Sequence, residues 1–213
     1  MGMTDERPMA KADAPPVVFV VDDDAGMRRG LEFLLKHAGL AVRGFASARE
    51  FLDFYQPDMR GCMLLDVRMP EISGLDLQEH LRKNGAKLPV VIVTAYGSIP
   101  MAVRAIQQGA IDFIEKPFDG ALLLERVHRA LAHEAQDHLD AQRISQLRER
   151  YELLTPRERE VMRLVVSGLL NKQIAAELGI SMKTVENHRA CVMDKMKADS
   201  LAELVKMSMA LGT

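Results

Sequence analysis

The chain has 213 residues, of which 48% are hydrophobic and 27% are charged, and its formal net charge is −2. At about 150 residues per domain this length allows one large domain or two small ones, and the composition excludes both a disordered chain and a disulfide-stapled miniprotein. The nearly neutral charge excludes a generally basic chain, so a nucleic-acid-binding function would require a local site. The two cysteines, Cys62 and Cys191, lie far apart in apolar surroundings, and both are predicted to be buried, reduced thiols.

The amino-terminal end, residues 1–15, is polar and lacks periodicity, which predicts a flexible arm. The first apolar run, 17–21, is only as long as a strand and leads directly into Asp22, Asp23 and Asp24. Such a run excludes a signal peptide and a membrane span. We therefore expect a cytoplasmic protein that makes no membrane contact.

Residues 16–132 alternate short apolar runs with longer amphipathic stretches. The apolar runs predict five strands, at 17–21, 41–45, 62–65, 90–93 and 111–115. The amphipathic stretches predict five helices, at 28–37, 48–55, 75–83, 101–108 and from 122 onward. Three of the strands are continuously apolar, as in a parallel sheet that is covered on both faces. This pattern predicts a doubly wound α/β domain with a five-stranded parallel sheet.

Residues 133–150 are charged and rich in glutamine, with no glycine or proline and an imperfect helical stripe of apolar residues. We interpret this segment as a helical linker that continues the last helix of the α/β domain. The stripe is equally compatible with packing inside one chain and with a coiled-coil seam between two chains.

Residues 151–213 show helical patterns only, which predicts a separate all-α domain. Thr155 and Glu158 form a capping box that begins its first helix. Further helices are predicted at 172–178, at 182–196 and from 201 onward. Because a tight turn with a glycine joins the helices at 172–178 and 182–196, this part indicates a helix-turn-helix.

The residues that end the strands matter most in the α/β domain, because ligands of open parallel sheets bind outside the carboxyl ends of the strands. These residues are Asp22 and Asp23 after the first strand, Asp66 after the third, Thr94 at the fourth and Lys116 after the fifth. Two carboxylates about 4 Å apart repel each other by about 4 kcal/mol at an effective dielectric of about 20. We therefore expect a cation among them, and a site with oxygen ligands and few protein donors favours Mg²⁺.

The three aspartates, the Thr94-Ala95 pair and the segment 116–118 at these strand ends resemble the receiver domain of response regulators, a flavodoxin-like fold. The similarity covers residue 17 to about residue 131. It implies that a sensor histidine kinase phosphorylates Asp66, with Thr94 and Lys116 completing the reactive site. It also implies that Mg²⁺ binds to Asp22, Asp23, Asp66 and the backbone carbonyl of Arg68, that Thr94 and Phe113 form a switch, and that the Lys116-Pro117 bond is cis.

The same resemblance implies a homodimer that forms on phosphorylation. It places the dimer surface at 99–108, 111–115 and 119–130, with Val103, Ile106 and Val127 as candidate contacts unless they are core residues. A magnesium-dependent phosphatase of the haloacid dehalogenase type would also use a strand-end aspartate. Such an enzyme needs a second aspartate two residues later, where this chain has Arg68. We therefore expect no enzymatic activity beyond the chain's own phosphorylation and dephosphorylation.

The predicted helix at 182–196 is the candidate DNA-reading element. Val185, Val192 and Met196 form its apolar stripe. The opposite face, which could enter a major groove, carries Lys183, Glu186, Asn187 and Ala190. Ser181 is a suitable N-cap and leaves a positive helix end for a DNA phosphate.

Three blocks, at 154–158, 171–175 and 184–189, resemble the LuxR-type helix-turn-helix of FixJ/NarL-class response regulators, and the domain order is most similar to the FixJ-like subgroup. The resemblance implies DNA contacts by Lys172, Ser181, Lys183, Thr184, Glu186, Asn187, His188 and Arg189. The chain departs from the family pattern at Leu170, where a small polar residue is commoner, and at Lys197, where glycine is commoner. These departures leave open the turn before the helix at 172–178 and the end of the helix at 182–196.

The sequence thus predicts a phosphorylation-activated regulator of transcription, an activator by family analogy, with promoter DNA and RNA polymerase as further partners. The alternative is a DNA-binding regulator whose receiver is a protein-interaction module that works without phosphorylation. Residues 151–213 contain nine lysines and arginines and eight acidic residues, a net charge of +1, which leaves −3 for the rest of the chain. Because non-specific affinity for DNA comes from phosphate neutralisation, a monomer should bind DNA weakly.

Overall fold

A computed structural model describes residues 15–95 and 97–212 of the chain. The predicted arm at 1–15 lies outside the described residues, apart from Pro15. The chain divides into two compact units, the first ending at Gln136 and the second beginning at Asp137. In the part of the chain that the structure describes, no helix is long and apolar enough to cross a membrane.

The first unit contains the predicted parallel sheet, with strand order β2-β1-β3-β4-β5. Its strands are β1 (Val17–Val21), β2 (Ala41–Phe45), β3 (Gly61–Leu65), β4 (Val90–Thr94) and β5 (Ala110–Glu115). All residues of β3 and β4, two of the interior strands, are buried, which is why these strands show continuous apolar runs. The fold class predicted from the sequence is therefore confirmed.

Five helices surround the sheet: α1 (Ala25–His37), α2 (Ala48–Phe54), α3 (Gly74–Lys83), α4 (Ile99–Gln107) and α5 (Gly120–Glu152). Each of them begins after a side-chain cap, provided by Asp24, Ser47, Ser73, Ser98 and Asp119. Each cap accepts a backbone N–H of the first turn, and this polar contact is not part of the apolar periodicity that set the predicted starts. This explains why α1, α3 and α4 begin one to three residues before the predicted starts.

Two apolar cores cover the sheet. One contains Phe19, Phe45 and Phe51 together with side chains of α3, and the other contains Leu31 and Leu35 of α1 with Leu123 and Val127 of α5. Val127 has no solvent exposure. Its predicted role as a dimer contact is therefore wrong, because α5 turns this residue toward the sheet.

Helix α5 continues without a break from Gly120 to Glu152 and thus through the segment interpreted as a linker. Within the first unit, the buried Glu134 of α5 accepts hydrogen bonds from Arg60 at 2.9 and 3.2 Å. This ion pair fixes α5 just before Gln136, the last residue of the unit. The helical nature of the segment is confirmed, whereas the predicted boundaries at 132 and 150 stay predictions.

The second unit contains the end of α5 and the helices α6 (Pro156–Val166), α7 (Asn171–Leu178), α8 (Met182–Met196) and α9 (Leu201–Leu211). The predicted capping box of Thr155 and Glu158 is present. Gly179 closes α7 in the left-handed conformation with φ 64°, which forms the predicted tight turn before α8. The helix-turn-helix is therefore confirmed.

The two departures from the family pattern leave these elements intact. Leu170 provides no side-chain acceptor at the start of α7, but its own N–H donates to the Gln173 side chain at 2.8 Å. Lys197 ends α8 in the left-handed conformation, with φ 54° and ψ 46°. A residue with a Cβ atom is strained in that region, so α8 ends at the expected place at some cost in stability.

The two cysteines differ in their environment. Cys62 is fully buried, and burial raises the pKa of its thiol to about 12. Cys191 is exposed, so the prediction of a buried thiol is wrong for this residue. Cys191 directly precedes Val192 on α8, and a rotation of about 100° per residue places it outside the buried stripe.

Candidate functional site

The strand ends bring together three of the predicted site residues. Lys116 Nζ donates to Asp22 Oδ2 at 2.7 Å and to Asp66 Oδ1 at 2.9 Å. Both carboxylates are buried. The arrangement follows from the sheet, because Val21 pairs with Leu65 and the Asp66 N–H donates to the Val21 carbonyl at 2.9 Å.

The local backbone holds the second oxygen of each carboxylate. Asp66 Oδ2 accepts the Arg68 N–H at 2.7 Å, and Asp22 Oδ1 accepts the Asp24 N–H at 2.9 Å. Arg28 Nη1 also donates to the backbone carbonyl of Asp22 at 2.6 Å. Both carboxylates are therefore held in place before any ligand arrives.

Burial raises the pKa of Asp66 above its ordinary value, and the negative charge of Asp22 acts in the same direction against the hydrogen bonds from Lys116 and Arg68. Burial alone would lower the pKa of Lys116, but its hydrogen bonds to Asp22 and Asp66 outweigh this effect and raise that pKa. Lys116 therefore stays an ammonium.

The donor chemistry of this pocket suits Mg²⁺, which prefers carboxylate and carbonyl oxygens and keeps several waters. Two carboxylates share one ammonium here, so the pocket retains an excess negative charge. Asp23, the third predicted carboxylate ligand, is exposed next to Asp22. In residues 15–95 and 97–212, however, no three His, Cys, Asp or Glu side chains are already grouped around a metal position.

Asp24, the third consecutive aspartate, has a different role from Asp22 and Asp66. Its side chain accepts the N–H groups of Gly26 at 2.7 Å and Met27 at 3.1 Å and so caps α1. The bonds from Met27 and Gly26 lower the pKa of Asp24. Asp24 is therefore a structural residue, in agreement with its omission from the predicted metal ligands.

The predicted switch residues lie on the neighbouring strands β4 and β5. Thr94 is fully buried, and its carbonyl accepts the Lys116 N–H at 2.8 Å. Phe113 is half-buried and packs against the apolar core. The Lys116-Pro117 bond is cis, as predicted. The switching role of Thr94 and Phe113 stays a prediction.

Sequence reasoning missed Gly74, the first residue of α3. A Cβ atom at this position would lie 2.0 Å from the backbone oxygen of Asp66, so a larger residue would displace Asp66. The Gly74 N–H also donates to the Val67 carbonyl at 2.9 Å. A glycine at a helix start carries no periodic signal, and its proximity to Asp66 arises only on folding.

The predicted dimer surface is partly apolar and exposed. On α4, Ile99 is 82% exposed, and Val103 and Ile106 are each 49% exposed. Two of the three predicted contacts, Val103 and Ile106, are therefore accessible, in contrast to the buried Val127. Contiguous exposed apolar side chains of this kind are typical of an interaction surface.

The buried and the exposed face of helix α8 are those predicted from the sequence. Val185, Val192 and Met196 are its buried residues. The exposed residues include Lys183, Glu186, Asn187 and Ala190, and Lys172 at the start of α7 is exposed as well. Ser181 Oγ accepts the Thr184 N–H at 3.0 Å and caps α8. The ion pair between Lys183 and Glu186, 3.4 Å apart, is exposed and easily opened.

Arg189 differs from the other predicted DNA contacts. It is half-buried, and its Nη1 donates to Asn171 Oδ1 at 2.6 Å, which joins α8 to α7. His188 and Thr184 are half-buried too. The structure thus gives Arg189 a role in holding the two helices together, and DNA contact by this residue stays a prediction.

A doubly wound sheet with buried carboxylates at its strand ends, together with a capped helix-turn-helix, defines a response regulator with a DNA-binding output domain. Family models agree with this class. Residues 18–128 match the response regulator receiver domain, and residues 152–208 match the bacterial regulatory proteins of the luxR family. The chain belongs to this family of two-component transcriptional regulators.

Individual relatives are similar over nearly the whole chain. Nodulation protein W of Bradyrhizobium diazoefficiens is 45% identical over 202 residues, covering 95% of this chain and 89% of the relative. The transcriptional regulatory protein FixJ of Azorhizobium caulinodans is 47% identical, covering 92% of each chain. The solved structure of the response regulator StyR has a TM-score of 0.82 at 44% identity and covers 92% of this chain and 99% of StyR. The predicted resemblance to FixJ-like regulators is confirmed.

Proposed function

We propose that Asp66 accepts a phosphoryl group from a sensor histidine kinase and that this modification turns the chain into a DNA-binding dimer. The observation that carries the proposal is the buried Asp66 carboxylate, held by the Arg68 N–H and bridged to Asp22 through Lys116. In the transfer, an oxygen of Asp66 forms a bond to phosphorus while the bond from phosphorus to the kinase imidazole breaks. The imidazole leaves with the electron pair of that bond.

The product carries about −1.5 to −2 charge in a pocket that is already acidic. Lys116 can neutralise part of this charge, because its ammonium already contacts an oxygen of Asp66. Thr94, at the end of the adjacent strand β4, can donate its hydroxyl to a phosphoryl oxygen. Asp22, Asp23, Asp66 and the Arg68 carbonyl would hold Mg²⁺, which when bound supplies Lewis-acid stabilisation of the phosphoryl oxygens.

In this proposal, movement of Thr94 toward the phosphoryl group opens space that Phe113 fills. The dimer then forms through α4, β5 and the first part of α5, where Val103 and Ile106 are exposed. A core whose side chains can pack in two alternative ways can convert such a small shift into a rearrangement of the exposed surface. The receiver domain would comprise residues 16–132, the linker 133–150 and the DNA-binding domain 151–213.

Phosphorylation adds negative charge, so it cannot improve DNA affinity by direct attraction. It would act by setting two copies of α8 about 34–36 Å apart, which matches half-sites one helical turn apart on promoter DNA. The proposed DNA contacts are Lys172, Ser181, Lys183, Thr184, Glu186, Asn187, His188 and Arg189. Acting with RNA polymerase in the cytoplasm, the dimer would activate transcription, and the chain would catalyse only its own phosphorylation and dephosphorylation.

Incubation of the full chain with Mg²⁺ and acetyl phosphate tests the proposal. Intact-mass analysis should find one added phosphoryl group on the wild type and none on Asp66→Asn, which keeps the size of the side chain but loses its nucleophilic charge. Asp23→Ala should still react, but only at a higher Mg²⁺ concentration. Undiminished labelling of Asp66→Asn would contradict the assignment of Asp66. A wild type that binds promoter DNA but takes up no phosphoryl group would favour the interaction-module alternative.

A further inference from the structure

Helix α4 is weakly anchored to the rest of its unit. Among its nine residues, all of which lie in the described part of the chain, Ala105 is the one buried side chain. The exposed apolar residues Ile99, Val103 and Ile106 face solvent instead of the core. An element with so little buried apolar surface has a low local stability, so single contacts decide where it lies.

One such contact comes from Gln78 on α3. Gln78 is 3% exposed, and its Nε2 donates to the backbone carbonyl of Ala105 at 3.1 Å. Ala105 lies in the last turn of α4. There the Gly109 N–H donates to the carbonyl of Ile106 instead of to that of Ala105. The Gln78 amide therefore satisfies a carbonyl at the end of α4 that the helix itself leaves open.

A second, weaker link between α3 and α4 lies on the surface. Arg104 of α4 and Asp76 of α3 are 4.0 Å apart, and both side chains are more than half exposed. Ion pairs of this kind contribute little in water. The buried hydrogen bond from Gln78 is thus the stronger polar connection of the two.

Helix α3 begins against the backbone of the phosphoacceptor. A Cβ atom on Gly74 would lie 2.0 Å from the Asp66 oxygen, and the Gly74 N–H donates to the Val67 carbonyl at 2.9 Å. Gln78 follows Gly74 by four residues, and both belong to the buried face of α3. A shift of the Asp66 backbone would therefore move the start of α3 and, one turn later, Gln78.

We propose that Gln78 is a positioning residue that holds α4 in its resting place and that connects Asp66, through α3, to the exposed surface of α4. This inference rests on the proposed function, since it assumes phosphorylation of Asp66 and dimerisation through α4. It adds a second connection between these sites, one that does not pass through Thr94 and Phe113.

Gln78→Met tests the proposal, because methionine keeps the length and approximate volume of the side chain but cannot donate to the Ala105 carbonyl. Gln108→Met is the matched control, since it removes a similar amide at the end of α4 without touching this hydrogen bond. In the unphosphorylated full chain, Gln78→Met should raise hydrogen–deuterium exchange of the α4 amides about fivefold, the factor that one net hydrogen bond of ordinary strength represents. Exchange in β3 and β4 should match the wild type.

The same variant should also form dimers about fivefold more readily before phosphorylation, as measured by sedimentation. Its rate of labelling by acetyl phosphate should equal that of the wild type and of Gln108→Met, because Gln78 does not touch the reacting atoms. Gln78→Leu, a second side chain without a donor, should reproduce both effects.

The proposal is overturned if α4 exchange in Gln78→Met and Gln78→Leu equals that of the wild type, or if exchange in β3 and β4 accelerates to the same extent as in α4. The second result would mean a general loss of stability instead of a local release of α4. The exchange measurement needs no phosphoryl donor. A wild type that fails to take up phosphate would therefore refute the proposed function, whereas unchanged α4 exchange would refute only the role of Gln78.

Discussion

The strand-end pocket and the exposed face of α8 both present charged side chains, but they hold them in different ways. In the pocket, Lys116 lies 2.7 and 2.9 Å from two buried carboxylates. On α8, Lys183 and Glu186 are 3.4 Å apart and open to solvent. Water screens the second pair and hardly screens the first. Substitutions in the pocket should therefore cause large losses of stability, because each affects several charges at once. Substitutions on α8 should cause small losses of DNA binding that can be measured one by one.

The largest effect is expected for Lys116→Met, which leaves Asp22 and Asp66 as two buried carboxylates without their bridging cation. The free energy of unfolding at neutral pH should fall by about 3 kcal/mol, measured by urea titration. Added Mg²⁺ should restore part of this loss, since it would replace the missing positive charge. Lys87→Met, at an exposed lysine of the same unit, is the control and should be neutral within about 0.5 kcal/mol.

If Lys116→Met were as stable as the wild type and did not respond to Mg²⁺, the expected difference between the pocket and α8 would be disproved. A drop of the same size in Lys87→Met would do so as well, because it would show that exposed charges matter as much as buried ones.

The next effect concerns Glu158, a buried charge in the second unit. It pairs with Lys195 at 2.7 Å and accepts the Thr155 N–H at 2.8 Å. Burial would raise the pKa of Glu158, but the hydrogen bonds from Lys195 and Thr155 outweigh it and hold that pKa below the ordinary value. Glu158→Gln should therefore lower the free energy of unfolding by about 2 kcal/mol at pH 7.

The pH dependence of this difference has a definite sign. A lowered pKa stabilises the fold above the unfolded value of about 4.3, and this contribution is lost as the pH falls through the lower folded value. The difference in free energy of unfolding between the wild type and Glu158→Gln should therefore become smaller below about pH 4, as measured by thermal unfolding. The exposed neighbour Glu160 is the control, and Glu160→Gln should leave the stability almost unchanged. A gap that widens toward acid would contradict the role of Lys195.

On α8, single substitutions should separate base recognition from phosphate contact in the phosphorylated full chain. Asn187→Ala should lose about 1–3 kcal/mol of discrimination at one base position. Lys183→Ala should weaken binding to all sequences and reduce the salt slope by about 1. Binding to sites selected from random DNA measures both effects, with Lys206→Ala on α9 as a charge-matched control. Equal losses for Lys183→Ala and Lys206→Ala would mean that net charge, and not the face of α8, governs binding.

The smallest effect concerns the end of α8. Lys197 adopts a left-handed conformation that glycine enters without strain. Lys197→Gly should therefore raise the free energy of unfolding by about 1 kcal/mol, in spite of the greater chain entropy of glycine. Lys206→Gly removes the same charge inside α9 and should instead lower the stability by about 1 kcal/mol. Two changes of the same sign in thermal unfolding would disprove this explanation of how α8 ends.

Local patterns in the sequence were sufficient to predict the five strands, the helices and the side chains at the strand ends. Continuous apolar runs marked β3 and β4, because both faces of these strands are covered. The capping box of Thr155 and Glu158 involves residues three apart, so it is visible before folding. The pocket could be predicted as well, since the carboxyl ends of parallel strands meet at one edge of the sheet.

Contacts between distant segments could not be predicted in this way. Periodicity indicates that Val127 lies on a helix, but the neighbours that this helix acquires on folding decide that the residue is buried. The approach of Gly74 to Asp66 and the bond from Gln78 to Ala105 join segments whose sequences carry no sign of each other. The spacing of apolar residues along the chain determines which face of a helix or strand is apolar. Which polar groups form hydrogen bonds between distant segments depends on how several elements pack together.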